Sequence, residues 1–205
     1  YKRQVPVLRI GNPSRVNDKM LSFTYERRFE GHPAYAELWG IRKSIREMGN
    51  RMRKSSYSER EAARSRINHL RERATELEIQ INEDLFSGAR VIASTLVSSN
   101  HRILTGRRFT TLFIDEAAQA LEAACWIAIR KADRVIFAGD HCQLPPTIKC
   151  IEAARNGLEQ TLMEKVAANK QETVSLLKVQ YRMHQSIMQF SSEWFYQGEL
   201  QAAPE

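Results

Sequence analysis

Thr110 to Lys149, TTLFIDEAAQALEAACWIAIRKADRVIFAGDHCQLPPTIK, holds two apolar, β-rich runs separated by a helical interval. The first run, Thr111 to Ile114, is long enough for a buried parallel strand and ends in adjacent carboxylates, Asp115 and Glu116. The second, Arg134 to Ala138, ends in Gly139-Asp140 and leads to Gln143, Pro145 and Pro146, a spacing that suits a neighbouring strand and its loop. Between them, Leu121, Ala124, Cys125, Ala128 and Ile129 mark one face of a crossover helix. Trp126 and Ile127 widen that face, as burial against a sheet requires, and are read as core.

Carboxylates at the carboxyl end of a strand in an open α/β sheet face the ligand crevice. In nucleotide hydrolases of the P-loop class, an Asp there holds Mg²⁺ against the β- and γ-phosphates, and a neighbouring Glu orients or deprotonates the attacking water. Both tasks need hard oxygen ligands. Asp115 and Glu116 fit these roles, and Gln143 would reach a γ-phosphate. An ordinary strand terminus gives the same Asp-Glu pair. The order of two strings, DEAAQ and then GDHCQLPP, is more specific. It resembles motifs II and III of superfamily 1 helicases, in the up-frameshift-suppressor-like DNA/RNA helicase branch. His141 stands beside Asp140 without a second nearby imidazole and reads as a loop residue, not a metal ligand.

A chain of 205 residues holds one ordinary domain, or one domain with pieces of a second. Its three cysteines, Cys125, Cys142 and Cys150, form an odd set without C-x-x-C spacing, so reduced thiols are expected. The formal charge of +7 is concentrated. Arg42 to Arg73 carries eleven Lys or Arg against four Glu, so the basic character belongs to one segment. No apolar run approaches the roughly 20 residues that span a bilayer, and no charged-then-apolar leader follows Tyr1. A soluble, cytoplasmic protein without a membrane partner is expected.

Val5 to Ile10 reads as a strand broken by Gly11-Asn12-Pro13. RIGNPSR resembles motif Ib of the same helicases, whose loop faces single-stranded nucleic acid. Ser14 and Arg15 become candidate backbone contacts, although a surface turn looks the same. From Pro33 the pattern turns helical, with the proline suited to a first turn. Leu38, Ile41, Ile45, Met48 and Met52 recur at intervals of three and four. After the polar turn Lys54 to Ser58, Ser58 and Glu61 have capping-box spacing, and Ile67, Leu70, Ala74, Leu77 and Ile81 repeat the alternation. Two antiparallel helices packed seam to seam follow, the second running from Glu59 to Leu85. At ~1.5 Å per residue it would be ~40 Å long and would protrude from the α/β body. The hairpin's place in the chain resembles the helical insertion, subdomain 1C, of these helicases. Its basic tip would track a nucleic-acid backbone, while for single residues such as Arg53 or Arg66 a solvated face is the simpler reading. No aromatic ladder accompanies the charge, since Tyr57 stands alone at the turn, so phosphate contact without base reading is expected.

Ala89 to Thr95 is the next strand and resembles motif Ic, which suggests Thr95, with Ser94 and Ser98 more weakly, as backbone contacts. Beyond Lys149, helices are expected over Ile151 to Arg155 and Leu158 to Ala168 with a break at Gly157. A strand over Thr173 to Val179 and an amphipathic helix through Ile187, Phe190 and Phe195 complete the chain. LLKVQYRMHQSIMQFSSEWFYQGEL resembles motif IV and the start of the second RecA-like domain. In that family the arginine meets the γ-phosphate and the tyrosine stacks near the adenine, which implies Arg182 as the arginine finger and Tyr181 as its neighbour.

The resemblance implies an α/β fold, a RecA-like parallel sheet of the P-loop NTPase type with a projecting antiparallel helical hairpin insertion. Residues 1–32 and 87–157 would form the first RecA-like domain, 33–86 the insertion, and 158–205 the start of the second domain. ATP and Mg²⁺ are the implied cofactors and single-stranded RNA or DNA the implied partner. Asp115 would hold the metal, Glu116 activate water, Gln143 sense the γ-phosphate and Arg182 stabilise transferring charge. No G-x-x-x-x-G-K-[ST] run occurs, so an interior piece of a helicase, inactive by itself, is expected. Two other classes compete: a non-catalytic nucleic-acid-binding module, and a protein-docking or self-associating hairpin. A binder needs none of Asp115, Glu116, Gln143 and Arg182, whose joint presence argues against the first.

Overall fold

The computed structural model describes residues 5–52 and 57–203, apart from the side chains of Arg15 and Ser58. Arg53 and most of the expected hairpin turn therefore lie outside the described residues. The chain forms two compact units, Tyr1–Thr105 and Gly106–Glu205.

In the first unit, β1 (Val7–Ile10) pairs in parallel with β2 (Val91–Ser94), Ile10 standing opposite Ser94. A parallel pair requires a crossover connection. Here it contains α1 (Tyr25–Glu30), α2 (Tyr35–Met52) and α3 (Tyr57–Ser87). Pro33 precedes α2 by two residues instead of lying in its first turn, and α1 is an additional helix that the periodicity did not suggest. Because α3 already runs at Tyr57, Ser58 falls inside its first turn and not ahead of it as an N-cap.

The sequence seam is the packing seam. Leu38, Ala74, Leu77 and Ile81 form a buried cluster, with Phe29, Ala34, Tyr35, Ile41 and Leu85 against it. Ile67 is buried, and Ile45, Met48, Met52 and Leu70 are half-buried. Arg42 Nη2 reaches Glu78 at 2.6 Å and Arg73 Nη2 reaches Glu37 at 3.0 Å. Exposed pairs of this kind contribute ~0–1 kcal/mol each, whereas a buried Leu or Ile contributes ~1.5–3 kcal/mol, so the apolar seam dominates the association of α2 with α3. The 31 residues of α3 make it ~46 Å long, against ~27 Å for the 18 residues of α2.

In the second unit, β3 (Phe109–Ile114) crosses through α4 (Glu122–Ile129) to β4 (Ala132–Phe137), and the strands pair in parallel with Ile114 opposite Phe137. Cys125 and Ala128 of α4 are buried as the sequence predicts. Trp126 is not core: it stays 48% exposed, with Nε1 donating to Glu122 Oε1 at 3.2 Å. The narrow contact of an eight-residue helix with two strands has no room for a second apolar face.

Next, α5 (Ile151–Ala153) continues into a π-type turn, Ala154–Leu158, that ends where Gly157 takes φ 95°. The following helix, α6 (Leu162–Asn169), starts later than the expected Leu158. Thr161 and Glu164 form a reciprocal capping box that fixes the start, with Thr161 N–H donating to Glu164 Oε2 at 2.7 Å. The strand expected over Thr173 to Val179 is reduced to β5 (Val179–Gln180), preceded by a 3₁₀ turn at Gln171–Thr173. Its partner, β6 (Gln201–Ala202), offers only two residues of ladder, so residues 174–178 have nothing to pair with among the described residues. Between them α7 (Gln185–Phe195) buries Met188 and Ser192, and Ile187 and Phe190 are 66% and 67% exposed, the reverse of the amphipathic face expected. All three two-stranded sheets are parallel, the sense expected of a RecA-like sheet, but β6 is a strand that the sequence reading did not include and the pairs do not join into one sheet among the described residues. No described helix is long and apolar enough to cross a membrane.

Candidate functional site

Parallel pairing of β3 with β4 delivers both following loops to one edge. Ala138 N–H donates to Ile114 C=O at 2.8 Å, and Ala117 N–H donates to Ala138 C=O at 2.9 Å, so the loops stay paired past the strands. Gly139 makes this approach possible. A Cβ there would lie 3.0 Å from both the Ala117 and Ala118 nitrogens and 3.1 Å from Met163 Sδ. Asp115 and Glu116 emerge exposed at this edge. Glu116 adopts a left-handed backbone, φ 51° and ψ 39°, costing a non-glycine residue ~1–2 kcal/mol. Its N–H donates to Asp115 Oδ1 at 3.1 Å.

The Asp140–Gln143 turn forms one wall of a cleft of about 780 Å³, whose lining includes Gln143, Tyr181, Arg182 and Tyr196. Gln143 Nε2 donates to Asp140 Oδ2 at 2.9 Å, and Cys142 N–H donates to Asp140 Oδ1 at 3.0 Å. The Tyr196 hydroxyl also donates to Asp140 Oδ2. Burial raises the Asp140 carboxyl pKa, but hydrogen bonds from Tyr196, Gln143 and the Cys142 N–H outweigh it and hold it below the usual carboxylate value. Burial first, and then the carboxylate beside it, push the Tyr196 phenol well above its ordinary value.

Gln180, also in the cleft's lining, shapes the turn after β5. Its Oε1 accepts from the Arg182 N–H at 2.9 Å and the Met183 N–H at 2.7 Å, while Nε2 donates to Met183 C=O at 2.6 Å. Tyr181 is left 87% exposed and Arg182 exposed, with no ion pair to Arg182 among the described residues. The cleft thus unites Gln143, Tyr181 and Arg182, whereas Asp115 and Glu116 are not among its lining residues. His141 lies in the turn, its ring within 4.8 Å of the Asp140 carboxylate and the Cys142 thiol.

The first unit holds the other candidates. The Ile10–Ser94 register brings the loops after β1 and β2 side by side, and a Cβ on Gly11 would sit 3.7 Å from Ser98 Oγ. The Ser14 hydroxyl donates to Asn12 Oδ1 at 2.9 Å, and Thr95 Oγ1 donates to Ser98 Oγ at 2.8 Å. The Arg15 side chain lies outside the described residues. Arg9, on β1, has its Nη1 buried without a hydrogen-bond partner among the described residues.

Sequence reasoning missed Asp140, Gln180 and Tyr196. Asp140 was visible beside Gly139, but nothing local reveals a phenol 56 residues away. A direct consequence is testable. Tyr196→Phe removes a hydrogen bond to a charged acceptor and is expected to lower stability by ~1.5–3 kcal/mol near pH 7. Since the folded pKa of Asp140 is depressed, its contribution exists above the unfolded carboxylate value and is lost as pH falls through the folded one. The difference between native and variant chains should therefore shrink on acidification, as urea unfolding at about pH 7 and about pH 3 would measure.

A family model described as an AAA domain matches residues 1–150, and a second with that description matches residues 158–205. The chain is 34% identical over 204 residues to "DNA-binding protein SMUBP-2" of Rattus norvegicus, covering 97% of this chain and 21% of that protein. It is 30% identical over 203 residues to the "DNA polymerase alpha-associated DNA helicase A" of Schizosaccharomyces pombe, covering 98% and 30%. An uncharacterized ATP-dependent helicase of Methanocaldococcus jannaschii is 29% identical over 231 residues, covering 96% and 34%. The chain spans about a fifth to a third of the length of these curated relatives. With the two domain matches in chain order and helicases among the relatives, the chain belongs to the AAA-domain family of up-frameshift-suppressor-like superfamily 1 helicases.

Proposed function

We propose that these residues are part of an ATP-dependent helicase that couples ATP hydrolysis to translocation on single-stranded RNA or DNA. The observation that carries this reading is the convergence of Gln143, Tyr181 and Arg182 on one cleft, from segments that the sequence keeps far apart. An exposed Tyr beside an exposed Arg with no ion pair among the described residues suits a ring to be stacked and a phosphate to be neutralised. In this reading Gln143 hydrogen-bonds the γ-phosphate and releases Asp140 as it does so, passing nucleotide state into the turn. Arg182 places its guanidinium against the transferring phosphoryl oxygens. Glu116 takes a proton from the attacking water.

Asp115 fits a Mg²⁺ ligand: it is an exposed hard-oxygen donor at a strand's carboxyl end, whose Oδ1 accepts from the Glu116 N–H. Bound there, the ion would neutralise phosphate charge. The loops around Gly11–Ser14 and Thr95–Ser98 present hydroxyls at one edge, as contact with a nucleic-acid backbone requires. We assign residues 1–32 and 87–157 to the first RecA-like domain, 33–86 to a projecting hairpin and 158–205 to the second domain. The seam positions of α2 and α3 are occupied by each other, which supports a nucleic-acid role for the hairpin over docking through that seam.

Because the 205 residues contain no G-x-x-x-x-G-K-[ST] loop, they should show little ATPase activity alone. The test is hydrolysis by the longest natural product containing them, with and without single-stranded RNA or DNA. Strand-stimulated turnover supports the reading, and the better-stimulating strand names the substrate. A natural product that never hydrolyses ATP leaves a nucleic-acid-binding module.

A further inference from the structure

We propose that the outward face of α2 is a separate single-stranded nucleic-acid contact, where the Trp39 indole stacks on a nucleobase and Lys43 and Arg46 hold the adjoining phosphates. The proposal rests on the helicase reading for its ligand but concerns residues that reading does not use. Trp39, Arg42, Lys43 and Arg46 line one groove of about 270 Å³. At ~100° per residue, positions 43 and 46 fall within about 40° of Trp39 around the helix axis, opposite the seam of Leu38, Ile41 and Ile45. Trp39 is 55% exposed. Lys43 Nζ stands 5.5 Å from the indole centroid, so cation and ring already form one surface. Arg42 is held by Glu78, whereas Lys43 and Arg46 make no ion pair among the described residues.

A single exposed tryptophan is unremarkable by itself. Its position within a basic face is what points to a ligand, since stacking and phosphate neutralisation are the two contacts a single strand offers together. An acidic protein surface would use the cations but has no need of an exposed ring. Two glycines reinforce the reading. A Cβ on Gly40 or Gly49 would meet nothing within 4 Å, so internal packing does not require either residue. Each nonetheless costs the helix ~0.8–1 kcal/mol relative to Ala. Gly40, next to the indole in sequence, lies about 100° from it around the helix axis, at the border of the basic face. The sequence suggested phosphate contact alone; a stacking platform adds affinity without base preference.

The experiment measures binding of the full chain to fluorescein-labelled dT and rU 20-mers and to an abasic 20-mer of equal charge, across a salt series. Trp39→Ala should weaken binding to the base-bearing strands by about 5- to 150-fold and leave the abasic strand unchanged. Trp39→Phe should restore most of the loss. Lys43→Gln with Arg46→Gln should weaken all three ligands and lower the salt slope by about 1.4. Equal loss on all strands in Trp39→Ala, or none, overturns the stacking assignment, and none assigns the face to a protein partner. If native chain binds and Ser14→Ala with Thr95→Val weakens it while Trp39→Ala does not, only the α2 proposal falls. If the native chain binds no strand, the α2 proposal falls, and the helicase reading is decided separately by hydrolysis in the longest natural product.

Discussion

Arg182→Ala, made in the longest natural product containing these residues, is expected to lower kcat for strand-stimulated ATP hydrolysis by roughly 10³- to 10⁵-fold with KM nearly unchanged. The reason is charge development. A guanidinium that meets the equatorial oxygens of the transferring phosphoryl group is worth most in the transition state, so its removal acts on kcat. Gln180 fastens the backbone through the Arg182 and Met183 amides, so the side chain extends from a fixed turn with no carboxylate paired to it among the described residues. Arg182→Lys keeps the charge but loses the planar fork and should recover only part of the rate. A variant whose KM rises while kcat holds would remove Arg182 from the reaction and leave it a nucleotide-binding residue.

Glu116→Gln is the second large effect, an expected fall in turnover of roughly 10²- to 10⁴-fold. The amide is nearly isosteric and leaves ATP and nucleic-acid binding in place, but it does not accept a proton from water. Its interest lies in the backbone. Glu116 occupies the left-handed region, which glycine or asparagine would enter more easily, and the loop-to-loop hydrogen bond from Ala117 to Ala138 holds it there. Glu116→Gly should therefore relieve strain while removing the carboxylate, giving a chain at least as stable as native and as inactive as the Gln variant. Full activity in Glu116→Gln, with unchanged dependence on nucleic acid, would sink the general-base assignment.

How much could be read in advance varied with the range of the interaction. The strands around Leu112, Ile136 and Ile92 were legible because each is a short apolar run closed by polar residues. The α2–α3 seam was legible for a related reason: a repeat of three and four has no explanation except a buried stripe. Reading was less successful where two periodic signals overlapped. Trp126 and Phe190 are apolar residues on helices whose buried faces are already occupied by Cys125 and Met188, and hydrophobicity alone does not rank the faces. The start of α6 was misplaced because a capping box at Thr161 overrides a helical propensity that begins earlier.

By itself the sequence determined the parallel sense of the strands and the paired helices, because each follows from local pattern, and it named candidates for phosphate chemistry through a motif string. Only the tertiary structure decided that Gln143, Tyr181 and Arg182 share a cleft, that Tyr196 fastens Asp140, and that Trp39 shares a groove with Arg42, Lys43 and Arg46. The first two are contacts between side chains remote in sequence, whose meeting depends on how the intervening elements pack. The last depends on which helix face the core consumes, since the indole is left outside only once Leu38 has turned inward against Leu77.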